Sequence, residues 1–315
     1  MAANNSSVYE ISDKVILVQL LVLIFLFINL LLIVTFFSKA YFYTTMRYIL
    51  FVVTLLSDSL ILIMSDILLI LNYFRFTMQI GLCVMVYIFL VLYTFVTPVT
   101  LTAMTLERYV AICMPLRHGE LCTTHSTLHC VLIIHGLSSV PVTVILSMFF
   151  ASAPHSLYAQ YRICSMDLFV PLRWQDHFKL VVYQCYFLVM SVTIIFSYTE
   201  IMKVAKAASG ENKKSTKKGL LTVLLHGFQL LLCFIQLWCP FIETALLLID
   251  FKLFDYVRYF NYIMFYLAPK CLSPLIYGLR DEKFFLALKH SAFFGLYYVK
   301  MTNVSFLCRE AELSL

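Results

Sequence analysis

In a chain of 315 residues, 62% hydrophobic side chains, only 13% charged ones and a mean hydropathy of +0.90 exclude an ordinary soluble domain, because no single core could bury so much apolar surface. Lipid must act as solvent for most of the chain. The net charge of +6 is no argument for nucleic acid, since basic residues gather on one side of the apolar runs, where they suit anionic lipid and an acidic cytosolic partner.

Runs able to cross about 30 Å of hydrocarbon at 1.5 Å per residue fall at 15–37, 48–71, 80–106, 128–151, 178–198, 220–249 and 257–279. Seven spans put the two ends on opposite sides. With the C-terminus inside, fifteen of the 23 lysines and arginines lie on inner segments and seven on outer ones, with Lys270 left within a span. This bias places the N-terminus outside. The expected class is an all-α membrane protein, divided into an outer tail (1–14), a seven-helix bundle (15–279) and an amphipathic helix with a cytoplasmic tail (280–315).

The first residues lack the basic start and small-residue cleavage site of a signal peptide, so span one reads as an uncleaved anchor. Asn4-Asn5-Ser6-Ser7 holds two overlapping glycosylation sequons, with use expected at one of them. Asn303-Val304-Ser305 also matches but should be cytosolic and unmodified. Span one carries one amide, Asn29, and span two carries Asp58, a functional-site candidate by its depth. Asp66 lies nearer the outer interface, with Arg75 as its nearest candidate partner.

Span three runs from Cys83 to Arg108 through Thr94, Thr97 and Pro98, where the missing N–H should kink the helix or be relieved by a threonine hydroxyl. Its end places Glu107, Arg108 and Tyr109 side by side where the helix meets the cytosol. In span four, His129 and His135 read as hydrogen-bonded core rather than metal ligands, for no second ligand stands at metal spacing. Most of the ten cysteines lie in spans or on the reducing side; only Cys83 and Cys164, in the loop after span four, look oxidisable, and a bridge would pin that loop over the bundle mouth.

Span five ends in Ser197-Tyr198-Thr199-Glu200-Ile201, and the loop after it carries Lys213-Lys214-Ser215-Thr216-Lys217-Lys218, either a solvated face or a contact for a cytosolic partner. Span six contains Phe234-Ile235-Gln236-Leu237-Trp238-Cys239-Pro240-Phe241; Pro240 permits bending, and Trp238 one turn below can register what fills the cavity. Span seven ends in Ser273-Pro274-Leu275-Ile276-Tyr277-Gly278-Leu279-Arg280-Asp281. Beyond it Phe284, Phe285, Leu288 and Ala292 repeat at helical spacing, as in a helix lying on the inner leaflet.

Taken together, Met104-Thr105-Leu106-Glu107-Arg108-Tyr109-Val110-Ala111-Ile112-Cys113-Met114-Pro115-Leu116, Ser197-Tyr198, Trp238-x-Pro240 and Pro274-x-x-Tyr277 closely resemble the ordered marks of vertebrate odorant receptors of the fish type, a branch of the rhodopsin-like G-protein-coupled receptors. The chain departs from the pattern at His135 for tryptophan, Met190 for proline, Leu237 for cysteine and Ser273 for asparagine, and it has a single loop cysteine. The resemblance implies a plasma-membrane receptor that binds a small odorant within the bundle and activates a heterotrimeric G protein, with no cofactor and no metal. The pocket would be lined by Leu90, Val91, Thr94, Phe95, Tyr183, Tyr186, Trp238, Phe241, Ile242, Ile263 and Tyr266, a set suited to a weakly polar molecule, with Glu243 outside it. Leu90 stands where amine receptors place an aspartate. The activation switch would comprise Glu107, Arg108, Tyr109, Tyr198, Trp238, Pro240, Pro274 and Tyr277. Leu220 stands where many relatives carry a second acid, so Glu107 must hold Arg108 without it.

Several polar residues within the spans agree in depth. Lys270 precedes the inner marker Arg280 by ten residues, about 15 Å, and Asp58 follows Arg47 by eleven, about 16 Å. Asn29 and Thr97 fall at the same level, so the four, with Ser273, would share a buried polar layer. Lys270 would pair with Asp58 and replace the sodium ion that many rhodopsin-like receptors hold there; a lysine facing a water-filled cavity is the alternative. Other readings are a rhodopsin-like receptor for a peptide, lipid or nucleotide and, further off, a transporter or channel, whose internal repeats are missing. No zinc-protease motif, phosphate-cradling glycine loop or nucleophile motif supports an enzyme.

Overall fold

Apolar runs too long for a soluble core become long helices because a helix satisfies its own backbone hydrogen bonds in lipid. The structure, a computed structural model, describes residues 2–152, 154, 160–164, 173–207, 211–247, 249–270, 278 and 281–291. In chain order it contains α1 (Ala2–Phe37), α2 (Ala40–Thr44), α3 (Met46–Tyr73), β1 (Thr77–Gln79), α4 (Ile80–Cys113), α5 (Pro115–Leu121), α6 (Thr124–Ser152), β2 (Tyr161–Ile163), α7 (Arg173–Ala207), α8 (Glu211–Leu247), α9 (Phe251–Asn261), a π-helical turn (Tyr262–Leu267) and α10 (residues 282–291).

Among the described residues, α1, α3, α4, α6, α7 and α8 are each long and apolar enough to span a membrane. The seventh expected span is helical from Phe251 to residue 270, and most of its inner end, with Ser273, Pro274 and Tyr277, lies outside the described residues. Helix α4 is the hub, packing against α3, α6, α7 and α8, while α1 lies on α3 and α9 on α8. Its buried side chains, among them Tyr87, Phe95, Val96 and Leu101, run through the main apolar core. Leu23, Phe27, Leu132, Leu188 and Val189 point outward from α1, α6 and α7, as lipid-facing positions require.

At the outer end, β1 and β2 pair antiparallel in the register Thr77↔Ile163, Met78↔Arg162, Gln79↔Tyr161. Cys164 follows β2 directly and is bonded to Cys83 in the first turn of α4, with Cα atoms 5.6 Å apart. Strand pairing and disulfide together tie the loop before α7 to the mouth of the bundle. At the inner end, Asp281 accepts from the backbone N–H of Phe284 at 3.0 Å and so caps α10. The same carboxylate accepts from Tyr48 Oη at 3.0 Å and meets Arg47 Nη2 at 2.6 Å.

Three local expectations are corrected. Of the two alternatives at Pro98, relief by a threonine is not found: Thr94 donates back to Leu90 O at 2.7 Å, and Thr97, which could reach the freed Thr94 carbonyl three residues behind it, donates across to the Asp58 carboxylate instead. Asp66 accepts from Gln19 Nε2 at 2.5 Å instead of pairing with Arg75, since the packing of α1 on α3 brings an amide closer than the loop arginine. The buried face of α10 is Phe284, Ala287 and Leu288, with Phe285 and Leu286 turned outward where lipid would cover them; Ala292 lies outside the described residues.

Candidate functional site

Helices α1, α3, α4 and the seventh-span segment bring four polar residues to one depth. Lys270 Nζ lies 3.0 Å from Asp58 Oδ1, and Thr97 Oγ1 donates to that oxygen at 2.8 Å. Asn29 Nδ2 reaches the backbone carbonyl of Lys270, at 3.4 Å, rather than its ammonium. All four are buried, with Asn29 and Asp58 at 0% exposure, so attraction between the two charges is screened little by solvent. The π turn ends three residues before Lys270. A widened turn inserts a residue into the helical repeat, rotating the residues beyond it by about 100° relative to an unbroken α-helix, so it sets the face from which Lys270 meets Asp58.

At the end of α4 away from the disulfide, Glu107 stands between two bases. Arg108 Nε lies 3.5 Å from Glu107 Oε2 and His118 Nε2 lies 3.5 Å from Glu107 Oε1. Both contacts are longer than the 2.7–2.9 Å of a strong charge-assisted hydrogen bond. Glu107 Oε2, Arg108 Nη2 and His118 Nε2 have no hydrogen-bond partner among the described residues. Two residues earlier on α4, the hydroxyl of Thr105 donates to Leu101 O at 2.9 Å and lies 3.2 Å from Nδ1 of buried His226. A donor at either end of that contact serves: the imidazole N–H can donate to the hydroxyl, or the hydroxyl to a neutral ring nitrogen. Tyr109 packs on Phe196 at 5.7 Å, and Tyr198 is partly buried against the core.

The expected pocket residues fall into groups rather than one closed chamber among the described residues. Phe95 meets Tyr183 and Tyr186 edge-on, with centroids 4.8 and 5.7 Å away, and Tyr186 donates to Leu137 O at 3.0 Å. Phe187 packs on Phe234 at 5.9 Å; Phe234 then meets Trp238 at 6.4 Å, and Trp238 meets Phe241 at 6.0 Å. This forms an aromatic run from α4 through α7 to α8. Trp238 and Ile242 remain 40% and 49% exposed, while Leu90, Val91 and Phe95 are buried. Tyr266 stacks on Tyr262 at 5.3 Å, and Ile263 is half-buried in the π turn. Glu243 is held by Asn261 Nδ2 at 3.0 Å.

These features are a helical bundle with a buried charge layer, a disulfide-pinned outer loop and an arginine at an inner helix end. A family model described as the seven-transmembrane receptors of the rhodopsin family matches residues 28–277. This chain belongs to that family of receptors. It is similar to odorant receptor 131-2 of Danio rerio, 42% identical over 294 residues covering 93% of this chain and 90% of that one. It is also similar to galanin receptor 2b of Danio rerio, 28% identical over 64% of this chain and 54% of that one, and to a green-sensitive opsin of Oryzias latipes, 26% identical over 46% and 42%.

Two residues of the receptor's inner end were missed in the sequence. His118 lies beyond the span-three signature on α5, and only the turn at Met114 and Pro115 carries it back toward Glu107. His226 carried a usable signal, a histidine inside an apolar span, but its partner Thr105 looked like any helix threonine. His135 instead bonds backward to Val131 O at 2.9 Å and sets its ring edge-on to Tyr93.

Proposed function

We propose that this receptor detects small, weakly polar odorants within the bundle and activates a heterotrimeric G protein at its cytoplasmic face, from a multi-pass position in the plasma membrane with the N-terminus outside. The observation that carries this reading is likeness along nearly the whole chain to a fish odorant receptor. The aromatic run from Phe95 to Phe241 supports it, because aromatic and aliphatic walls with a few hydroxyls suit an apolar guest with a modest polar group. In the same reading, residues 1–14 form the outer tail, 15–279 the signalling bundle and 280–315 the membrane-surface helix and cytoplasmic tail. Glu107 restrains Arg108 at rest, and Arg108 turns toward Tyr198 and Tyr277 when Trp238 and Pro240 let α8 move. Asp58 takes the Lys270 ammonium in place of a bound cation: its charge is matched at 3.0 Å, while its second oxygen, Oδ2, and Asn29 Oδ1 have no hydrogen-bond partner among the described residues.

Cells expressing the receptor, challenged with odorant mixtures and read by cyclic AMP, test the reading. A concentration-dependent response to small volatile or water-borne organics, absent from cells with Arg108→Ala, is expected. Silence toward all mixtures at verified surface expression, with a response to peptides instead, would overturn it.

A further inference from the structure

Glu107 is one carboxylate shared by two bases of different kinds. Arg108 Nε and His118 Nε2 each lie 3.5 Å from one of its oxygens, and among the described residues no second acid reaches Arg108. A guanidinium keeps its charge at every working pH, whereas an imidazole is the side chain whose charge changes between about pH 5 and 8. Exposure decides which group meets an incoming proton: the side chains of Glu107 and Arg108 are 6% and 15% exposed, that of His118 37%. The carboxylate is sealed and the imidazole is open. Because Glu107 Oε2, Arg108 Nη2 and His118 Nε2 make no hydrogen bond among the described residues, neither base has captured the carboxylate outright.

The surrounding groups do not offer the same response. On α5, Arg117 and Glu120 flank His118 in the sequence, and on α7 Glu200 is held by Lys203 at 2.6 Å. In the loop after α5 the Cys122 thiol is pushed up by burial first, then by Glu107 and by Cys130 of α6, so it stays uncharged. On α8, His226 contacts Thr105, and a response of its own would survive the loss of His118. On the reading of Arg108 as the switch toward a cytosolic G protein, on which this rests, we propose that His118 makes the hold on Arg108 sensitive to cytosolic pH. A proton taken up at Nδ1 gives the ring a positive charge, Glu107 is drawn to it through Nε2–H, and Arg108 loses its share of the carboxylate. Acidification therefore favours the signalling arrangement and alkalinisation the restrained one.

Purified receptor in nanodiscs, taken from about pH 8 to pH 6, tests this in two ways. Carbon-13 NMR of histidine-labelled receptor, with the His118 signal identified by its loss in His118→Gln, follows the ring without any G protein. In Glu107→Gln its titration should move down by about half a pH unit or more, because the carboxylate that favours the imidazolium is gone. An unmoved titration would overturn the coupling, whatever the receptor signals through. Basal nucleotide exchange on a heterotrimeric G protein, corrected for receptor-free exchange at each pH, should rise about threefold on acidification, the scale of one partly exposed charge pair. His118→Gln should stay flat at the alkaline level and His118→Lys, a permanent cation, flat at the acid level. A rise that persists in His118→Gln would assign the response to Glu107 or His226 and overturn the role of His118. So would a flat profile in the unmodified receptor, which needs no variant to fold; if no G protein responds at any pH, the switch reading fails and the NMR titration decides.

Discussion

An ammonium carried to the middle of a bilayer must be matched there, because a four-carbon stem cannot reach either interface. Lys270 meets Asp58 at 3.0 Å, and both are buried, so removing one charge strands the other. Asp58→Asn and Lys270→Met should each cost about 3–5 kcal/mol and cut surface delivery, while the double variant partly recovers. Thermal unfolding of purified receptor, read as a double-mutant cycle, checks this; additive losses would count against the pair. At the inner end, Glu107 divides itself between Arg108 and His118 at 3.5 Å each, a loose restraint. Glu107→Gln should raise basal cyclic-AMP signalling. His118→Ala, which leaves Glu107 to Arg108 alone, should lower it, measured at equal surface expression.

The inner and outer ends of the bundle are each closed by an element that does not span the membrane. Inside, Asp281 caps α10 and holds Arg47 and Tyr48, while Phe284 packs on Phe42 at 5.3 Å and Phe51 at 5.4 Å. Asp281→Asn keeps a capping side chain and loses only the charge; Asp281→Ala loses both. The alanine variant should therefore expose α10 to proteolysis more than the asparagine one, by about 1 kcal/mol of local stability. Outside, serine at Cys83 or Cys164 frees the loop from α4 and should abolish surface expression, which flow cytometry would detect. Sequence resolved these elements unevenly. Depth is linear in residue number, so apolar run lengths located the spans, and the markers Arg47 and Arg280 put Asp58 and Lys270 at one level. Azimuth is not linear in the same simple way, because a π turn and helix packing each rotate side chains by amounts no local pattern records. That is why Asp66 meets Gln19 instead of Arg75, and why Phe285 faces outward.

For the whole molecule, two independent arguments support the orientation proposed above. The excess of lysine and arginine lies at the ends of the spans that share α2, α5, α10 and the turn from α7 to α8, where Lys203, Lys206, Lys213, Lys214, Lys217 and Lys218 gather, and basic residues are retained on the cytosolic side. The disulfide lies at the other end, and a bond between cysteines persists only in an oxidising compartment. In the proposed orientation Asn4 and Asn5, which precede the first span, share the disulfide's side, whereas Asn303, which follows α10 in the sequence, is expected on the basic side. Glycan transfer happens only on the lumenal side, which makes these sequons a reporter of topology. Digestion with an endoglycosidase should shift the receptor by the mass of one glycan, since overlapping sites compete for a single transfer. Asn4→Gln and Asn5→Gln should each keep a shift, the double variant should lose it, and Asn303→Gln should change nothing. A shift that survives the double variant and vanishes with Asn303→Gln would invert the bundle, placing Arg108 outside and α10 beyond the reach of any cytosolic partner.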